Sequence, residues 1–129
     1  MQQSKSKVLY PELSYKICGL CYEVHNERGR FLGERQYADA LELKFKTHNI
    51  PYLREKSLKP AFAGEENRRN IPDFLIDDKI VLDLKAKRII TKEDYFQMKR
   101  YLQSSGKSLG IVVNFRQKYL SPKRVLHRS

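Results

Sequence analysis

The segment NIPDFLIDDKIVLDLKAK, residues 70–87, places the tightest constraint on what this chain can fold into. Its two apolar runs flank the polar sequence Asp77-Asp78-Lys79, which is typical of two strands joined by a short turn. Within the second run, the side-chain period of two residues places Asp83 and Lys85 on the same face of the strand. The segment therefore predicts a β-hairpin that carries charged side chains among Ile, Val and Leu.

Two aspartates are expected to face each other across this hairpin. A three-residue turn pairs Ile76 with Ile80, and counting back along both strands then places Asp73 opposite Asp83. Facing carboxylates repel each other by about 0.2–1 kcal/mol, whereas Mg²⁺ binds through one or two carboxylates and several waters. Lys85 would then orient an attacking water, help to deprotonate it, or stabilise an anionic transition state. The alternative is a half-exposed hairpin whose aspartate and lysine only neutralise each other.

The rest of the chain contains three helical patterns and three further extended segments. Apolar residues spaced by three and four predict helices, and runs of β-branched and aromatic residues or prolines predict extended chain. The helices are expected over residues 11–28, 33–48 and 91–106, and the extended segments over 50–62, 108–115 and 124–126. This order predicts a single α/β domain over residues 1–129, with a mixed β-sheet flanked by helices.

The second helix is expected to turn one apolar face toward the core. Tyr37, Leu41 and Phe45 recur at four-residue steps, and Glu34 lies three residues before Tyr37. This spacing predicts that Glu34 opens the buried stripe, where a carboxylate needs a partner. The alternative is an ordinary helix N-terminal glutamate, which the helix dipole favours.

The formal net charge of +11 is unevenly distributed along the chain. Residues 95–129 contain eight basic side chains and no acidic one, which favours a nucleic-acid partner, although solubility alone would also explain a basic protein. Tyr95, Tyr101 and Tyr119 lie in this region and are candidates for base stacking, with core packing as the alternative. The candidate nucleic-acid-binding residues are Lys87, Arg88, Arg116, Lys118, Lys123 and Arg124.

Composition and targeting signals predict a cytoplasmic protein. The apolar runs are too short to span a bilayer, and the first residues show no secretory signal. Cys18 and Cys21 have the C-x-x-C spacing, but no strand precedes them as a thioredoxin-like redox motif requires. His25 would add a third zinc ligand where a structural site takes four, so we expect both cysteines to be core residues.

The hairpin and its surroundings resemble known nucleases. Pro72-Asp73 followed by Asp83-x-Lys85 resembles the PD-(D/E)xK signature of the restriction-endonuclease-like superfamily. Residues 19–58, with Glu23-Val24-His25 and Glu34-x-x-Tyr37, resemble the GxxExxY family of small bacterial proteins within that superfamily. The resemblance covers about residues 12–126. It departs from the family at Phe31, where the motif has glycine, and at Asp83, where the family usually has glutamate.

The resemblance implies a restriction-endonuclease-like fold and phosphodiester hydrolysis with Mg²⁺ or Mn²⁺. It implies that Asp73, Asp83 and Glu34 bind the metal and that Lys85 is the catalytic lysine. Supporting or substrate-binding roles are implied for Gln97, Tyr37, Glu23 and His25. The expected partner is nucleic acid, DNA rather than RNA, with a homodimer or a partner protein to help find it. The alternative is an inactive module that keeps the fold and binds nucleic acid or protein.

Overall fold

The computed structural model of this protein describes residues 9–55 and 71–128. Three helices and five strands follow one another in the order α1, α2, β1, β2, β3, α3, β4, β5. The helices are α1 (Pro11–Arg28), α2 (Glu34–Thr47) and α3 (Lys92–Ser105). The strands are β1 (Tyr52–Arg54), β2 (Phe74–Ile76), β3 (Ile80–Lys85), β4 (Leu109–Asn114) and β5 (Lys123–Leu126). The predicted helices are confirmed. The extended segment predicted over 50–62 contains β1, and its part beyond residue 55 lies outside the described residues.

The five strands form one mixed sheet in the order β1-β2-β3-β4-β5. Only β3 and β4 run parallel, with α3 as their crossover connection, and the other neighbours are antiparallel. The predicted hairpin register is confirmed, because Ile76 pairs with Ile80. Asp77 and Asp78 make the tight turn in the left-handed region, with φ values of 52° and 54°, which aspartate tolerates better than most residues. The predicted α/β fold with a mixed sheet is therefore observed.

The larger core lies between one face of the sheet and helices α1 and α2. Apolar side chains at three- and four-residue steps bury one stripe of each helix against β2, β3 and β4. The ring of Tyr37 stacks on Phe115 with their centroids 4.2 Å apart, and Phe45 meets Phe74 edge to face at 5.1 Å. Fully burying one such side chain contributes about 1.5–3 kcal/mol, so this face supplies most of the hydrophobic stabilisation.

Helix α3 covers the opposite face of the sheet with a smaller apolar cluster. The helix begins at a capping box, in which the Thr91 backbone N–H donates to Asp94 Oδ2 at 2.7 Å. It ends at Gly106, which adopts the left-handed conformation. Met98 packs directly over Gly110 of β4, where a Cβ atom would collide with the Met98 thioether. Glycine at this position therefore lets α3 approach the sheet closely.

Both cysteines lie on α1, and the prediction that they are core residues is confirmed for Cys21, whereas Cys18 packs only partly buried against the core. Cys21 is buried and Cys18 is partly buried, and neither forms a disulfide. Burial raises the pKa of both thiols, so neither is disposed to ionise near neutral pH. None of the helices in the described part of the chain is both long enough and apolar enough to cross a bilayer.

Candidate active site

Asp73 and Asp83 meet at the open end of the β2–β3 hairpin. Asp73 directly precedes β2, and the strand register continued by one residue places it opposite Asp83, as the sequence predicts. Asp73 Oδ2 accepts a hydrogen bond of 2.6 Å from the backbone N–H of Leu84, which fixes its carboxyl group on the chain next to Asp83. Asp83 is only 5% exposed. Asp73 is partly buried, so this end of the hairpin is less exposed than the alternative assumed, although the Asp83–Lys85 contact of that alternative is present.

This arrangement makes a second negative charge costly. Burial, the charge of Asp83 and the hydrogen bond with Asp83 together raise the pKa of Asp73 to about 8, although the Leu84 N–H favours the ionised form. In the absence of a cation, the raised pKa of Asp73 means that the pair favours binding a proton over ionising both carboxyl groups. A divalent ion placed between the carboxyl groups would replace that proton.

Lys85 projects from the same face of β3 as Asp83 and is held from two sides. Its Nζ atom lies 3.1 Å from Asp83 Oδ2 and donates a hydrogen bond of 2.8 Å to Gln97 Oε1 on α3. Burial alone would lower the pKa of Lys85. The charge and hydrogen bond of Asp83, helped by the charges of Asp94 and Glu34, raise it above its ordinary value. Lys85 is therefore an ammonium ion in a fixed position beside the aspartates.

Asp94 is a member of this charge cluster that sequence reasoning missed. It also caps helix α3 through the Thr91 backbone N–H. Its carboxylate lies 2.7 Å from Lys87 Nζ and 3.8 Å from Lys85 Nζ. Burial would raise the pKa of Asp94, but the hydrogen bonds from Lys87 and Thr91 and the charge of Lys85 lower it overall. The available signal was its spacing on α3, three residues before Gln97 and thus on the same helix face.

Asn114 joins the ends of β3 and β4 and was also missed as part of the site. It is 2% exposed, and its Oδ1 accepts from the backbone N–H groups of Lys87 at 3.1 Å and Arg116 at 3.3 Å. Its Nδ2 donates to the Lys87 carbonyl at 2.7 Å. Asn114 therefore fixes the chain leaving β3 against the chain leaving β4. An asparagine at the end of a buried apolar strand was the signal for such a bridge.

Glu34 lies in the first turn of α2, near the aspartates but in contact with solvent. The expectation that it opens the buried stripe of the helix is wrong, because its side chain is exposed while Tyr37, Leu41 and Phe45 are buried. At a helix N-terminus a carboxylate is favoured by the helix dipole and needs no buried partner. Its charge still contributes to raising the pKa of Asp73, after burial and the larger effect of Asp83. Glu34 therefore stands at the rim of the site.

The three other residues expected to support the site contact different groups. Glu23 forms an exposed salt bridge of 3.1 Å with Lys44, which joins α1 to α2. His25 Nε2 lies 2.8 Å from the Gln117 carbonyl oxygen. The Tyr37 hydroxyl donates to the Gly29 carbonyl at 2.6 Å. These contacts give Glu23, His25 and Tyr37 packing and loop-bracing roles, rather than contact with the aspartates.

The basic candidates are spread over several surfaces. Lys87 is paired with Asp94, and Arg88 is exposed just beyond it. Lys118 is exposed in the β4–β5 loop and Lys123 on the edge strand β5. Arg124 donates to the Ser14 hydroxyl at 3.0 Å and to the Leu9 carbonyl at 3.3 Å, so it fastens β5 to the start of α1.

The three candidate stacking tyrosines have different environments. Tyr119 is 78% exposed, Tyr95 is partly buried against the α3 cluster, and Tyr101 is only 4% exposed. Tyr101 therefore cannot stack on a base. Burial, followed by the charges of Asp83 and Asp73, raises the pKa of Tyr101, and its hydroxyl donates to the Ile71 carbonyl at 3.4 Å. Tyr101 is therefore a buried residue close enough to the aspartates for their charges to act on its hydroxyl.

The donor set at this site suits a hard divalent cation. Asp73 and Asp83 offer carboxylate oxygens, and Mg²⁺ often takes only one or two protein carboxylates and completes its shell with water. Across residues 9–55 and 71–128, no three His, Cys, Asp or Glu side chains converge as a ready-made metal cluster. Glu34 is therefore not drawn up beside the two aspartates as a third ligand. The partly buried Asp73 facing the buried Asp83 is the observation that fits a cation.

Comparison with known proteins agrees with this geometry. A family model described as the PD-(D/E)XK nuclease superfamily matches residues 11–126, which is most of the chain. Comparison with curated proteins and with solved structures gave no significant match. The matched span includes Pro72-Asp73 and Asp83-Leu84-Lys85, whose side chains the fold brings together at the end of the hairpin. This chain belongs to the PD-(D/E)XK nuclease superfamily.

Proposed function

We propose that this protein hydrolyses phosphodiester bonds in nucleic acid with the help of Mg²⁺ or Mn²⁺, and that DNA is the preferred substrate. The observation that carries the proposal is Asp73 facing the buried Asp83, with the Lys85 ammonium 3.1 Å from Asp83. Two adjacent carboxyl groups in a poorly solvated position are unfavourable without a cation. A purely structural role would be served better by apolar residues of similar size.

Each residue has a distinct task in this proposal. Asp73 and Asp83 hold the ion, which when bound activates water and neutralises charge on the scissile phosphate. Lys85 places its positive charge where negative charge develops on the phosphate in the transition state. Gln97 holds the Lys85 ammonium in position through its hydrogen bond of 2.8 Å. Glu34, at the rim, would add negative charge that favours a bound cation.

The finer family assignment is part of the same proposal. The Glu34-x-x-Tyr37 motif lies on α2 with its glutamate exposed in the first turn and its tyrosine in the core. This placement supports membership of the GxxExxY family, because the two residues of the motif have separate roles on one helix turn. A cytoplasmic location and a homodimer or partner protein remain expectations from the sequence.

The experiment that tests the proposal is a cleavage assay on labelled single- and double-stranded DNA and RNA, with Mg²⁺, Mn²⁺ or chelator. We expect metal-dependent cleavage by the wild type and a loss of about a thousandfold or more in Asp83→Asn and in Lys85→Ala. Asp78→Asn is the matched control, because Asp78 lies in the same hairpin and its side chain is 84% exposed. This control should cleave like the wild type.

The second candidate function is nucleic-acid binding without turnover. The excess of basic residues after residue 94 favours it independently of the aspartates. Calorimetric titration with Mg²⁺ and Mn²⁺ separates the candidates, with the wild type compared with Asp83→Asn. Metal binding that is lost in the variant supports hydrolysis. Nucleic-acid binding by a wild type that neither binds metal nor cleaves, even with substrate present, would establish the binding module instead.

A further inference from the structure

Phe31 is an exposed aromatic residue whose ring lies near two arginine side chains. It is 73% exposed, in the loop between α1 and α2. The Arg30 guanidinium carbon lies 4.8 Å from the Phe31 ring centroid, and the Arg116 guanidinium carbon lies 5.8 Å from it. Arg30 and Arg116 come from loops that are 86 residues apart in sequence. The fold therefore places two cations beside an exposed aromatic ring, which the sequence alone does not reveal.

The loop that carries Phe31 is braced from both sides. Arg30 Nη1 donates to the Arg116 carbonyl at 3.2 Å, and Arg116 Nε donates to the Arg30 carbonyl at 2.9 Å. Beneath the loop, the buried Tyr37 hydroxyl donates to the Gly29 carbonyl and accepts from the Leu32 N–H at 3.2 Å. Phe31 is thus exposed on a fixed backbone, so a ligand would not have to order the loop.

This cluster adjoins the carboxylate site by two routes. Along β4, the Phe115 N–H donates to the Lys85 carbonyl at 2.9 Å, and Arg116 is the next residue. Asn114 reinforces that link by accepting from Arg116. Along the other chain segment, Glu34 follows Phe31 by three residues. A strand whose phosphate lies at Asp73 and Asp83 would therefore bring a neighbouring nucleotide toward Phe31.

We infer that Arg30, Phe31 and Arg116 form a stacking site for an unpaired base, and that the protein prefers single-stranded nucleic acid. The inference rests on the proposed function and names its substrate class. An exposed ring can stack on any base, and the flanking guanidinium groups match the adjoining phosphates in charge. Bases in a duplex are stacked on each other and cannot reach the ring. Lys118 and the exposed Tyr119, whose ammonium and ring centroid are 5.4 Å apart, continue the same type of surface along the β4–β5 loop.

The test uses the absence of tryptophan from this chain. Phe31→Trp makes position 31 the only source of indole fluorescence and keeps an aromatic surface. In the full chain with chelator present, we expect saturable quenching by a short oligothymidylate and no quenching by a blunt duplex of equal length. Tyr15→Trp is the matched control, since Tyr15 is 83% exposed on α1 and should not respond to either probe. Equal responses to duplex and single strand, or no response, would overturn the inference.

A second variant measures how much the ring contributes. Phe31→Ala should lower the affinity for the single strand by about 5- to 100-fold and leave the duplex affinity unchanged. Tyr15→Ala should leave both unchanged. Cleavage by the wild type without any effect of Phe31→Ala would overturn this inference alone. Selective quenching of Phe31→Trp by the single strand in a protein that never cleaves would instead support the stacking site and overturn the proposed hydrolysis.

Discussion

The two faces of strand β3 have different compositions and different roles. Ile80, Leu82 and Leu84 point into the large core beneath α1 and α2, and each is at most 1% exposed. The opposite face begins with the buried Val81 but continues with charged side chains toward the open end of the hairpin. One strand thus combines a face that stabilises the fold with a face that holds a costly charge cluster. Apolar packing is therefore confined to one face of β3, and the candidate site is confined to the end of the other face.

The groups around the charged face show that burying its charges is energetically unfavourable. Asp73 has a raised pKa because its carboxyl group is buried beside Asp83, and Lys85 needs Gln97 and Asp83 to hold its ammonium. On the apolar face no comparable compensation is needed, because aliphatic side chains lose nothing by leaving water. Variants on the two faces should therefore change different properties.

The largest effect on stability is expected on the apolar face. Leu82→Ala should lower the free energy of unfolding by about 2–5 kcal/mol, since Leu82 is fully buried in the larger core. Asp83→Asn, the next residue along, should change it by only about 1 kcal/mol, because relief of the repulsion from Asp73 offsets the lost contact with Lys85, and it should abolish metal binding. Urea denaturation of both variants with chelator present checks this contrast. A collapse of stability in Asp83→Asn would mean that the charged face is structural.

The charged face should also give the metal-free protein a specific pH dependence. Between its ordinary pKa near 4 and about 8, Asp73 binds a proton in the folded state that the unfolded chain has released. The free energy of unfolding should therefore fall as the pH rises through this window. Asp73→Asn cannot ionise and still offers an oxygen to the Leu84 N–H. Between pH 5 and pH 9, the free energy of unfolding of this variant should rise relative to that of the wild type by about a few kcal/mol.

The measurement is urea denaturation at pH 5, 7 and 9 in chelator, with Asp78→Asn as the control. Asp78 is exposed in the turn and tolerates asparagine at its positive φ. Its variant should follow the wild-type pH profile. Parallel profiles for wild type and Asp73→Asn would show that Asp73 is ordinarily ionised and would break the contrast between the two faces.

A smaller effect is expected for Gln97, which lies on α3 and contacts the charged face of β3. Gln97→Ala removes the hydrogen bond that holds Lys85, and it should lower the rate of cleavage about tenfold with little change in unfolding free energy. Gln103→Ala is the matched control, because Gln103 is exposed on the same helix. Single-turnover cleavage and urea denaturation are the readouts. Equal rates for Gln97→Ala and wild type would show that Asp83 alone positions Lys85.

Much of the fold and part of the site follow from local sequence patterns. The hairpin register depended only on the length of the turn, and it correctly placed Asp73 opposite Asp83. Helix bounds were predicted to within about a residue because Pro11, the Thr91–Asp94 box and Gly106 are local signals. The burial of Glu34 was predicted wrongly, because helical spacing specifies a direction around the axis but not where the covering sheet ends.

The sequence by itself determined the elements, the mixed sheet and the meeting of the two aspartates, because each depends on neighbours within a few residues or on strand periodicity. Only the tertiary structure decided that Asp83 is buried, that Gln97 and Asp94 reach Lys85 from α3, and that Arg116 meets Phe31. These contacts join residues from separate elements, and their geometry depends on how closely α3 and the loops pack against the sheet. Burial and distance set the pKa of Asp73 and the position of the Lys85 charge, and both are properties of packing rather than of sequence order.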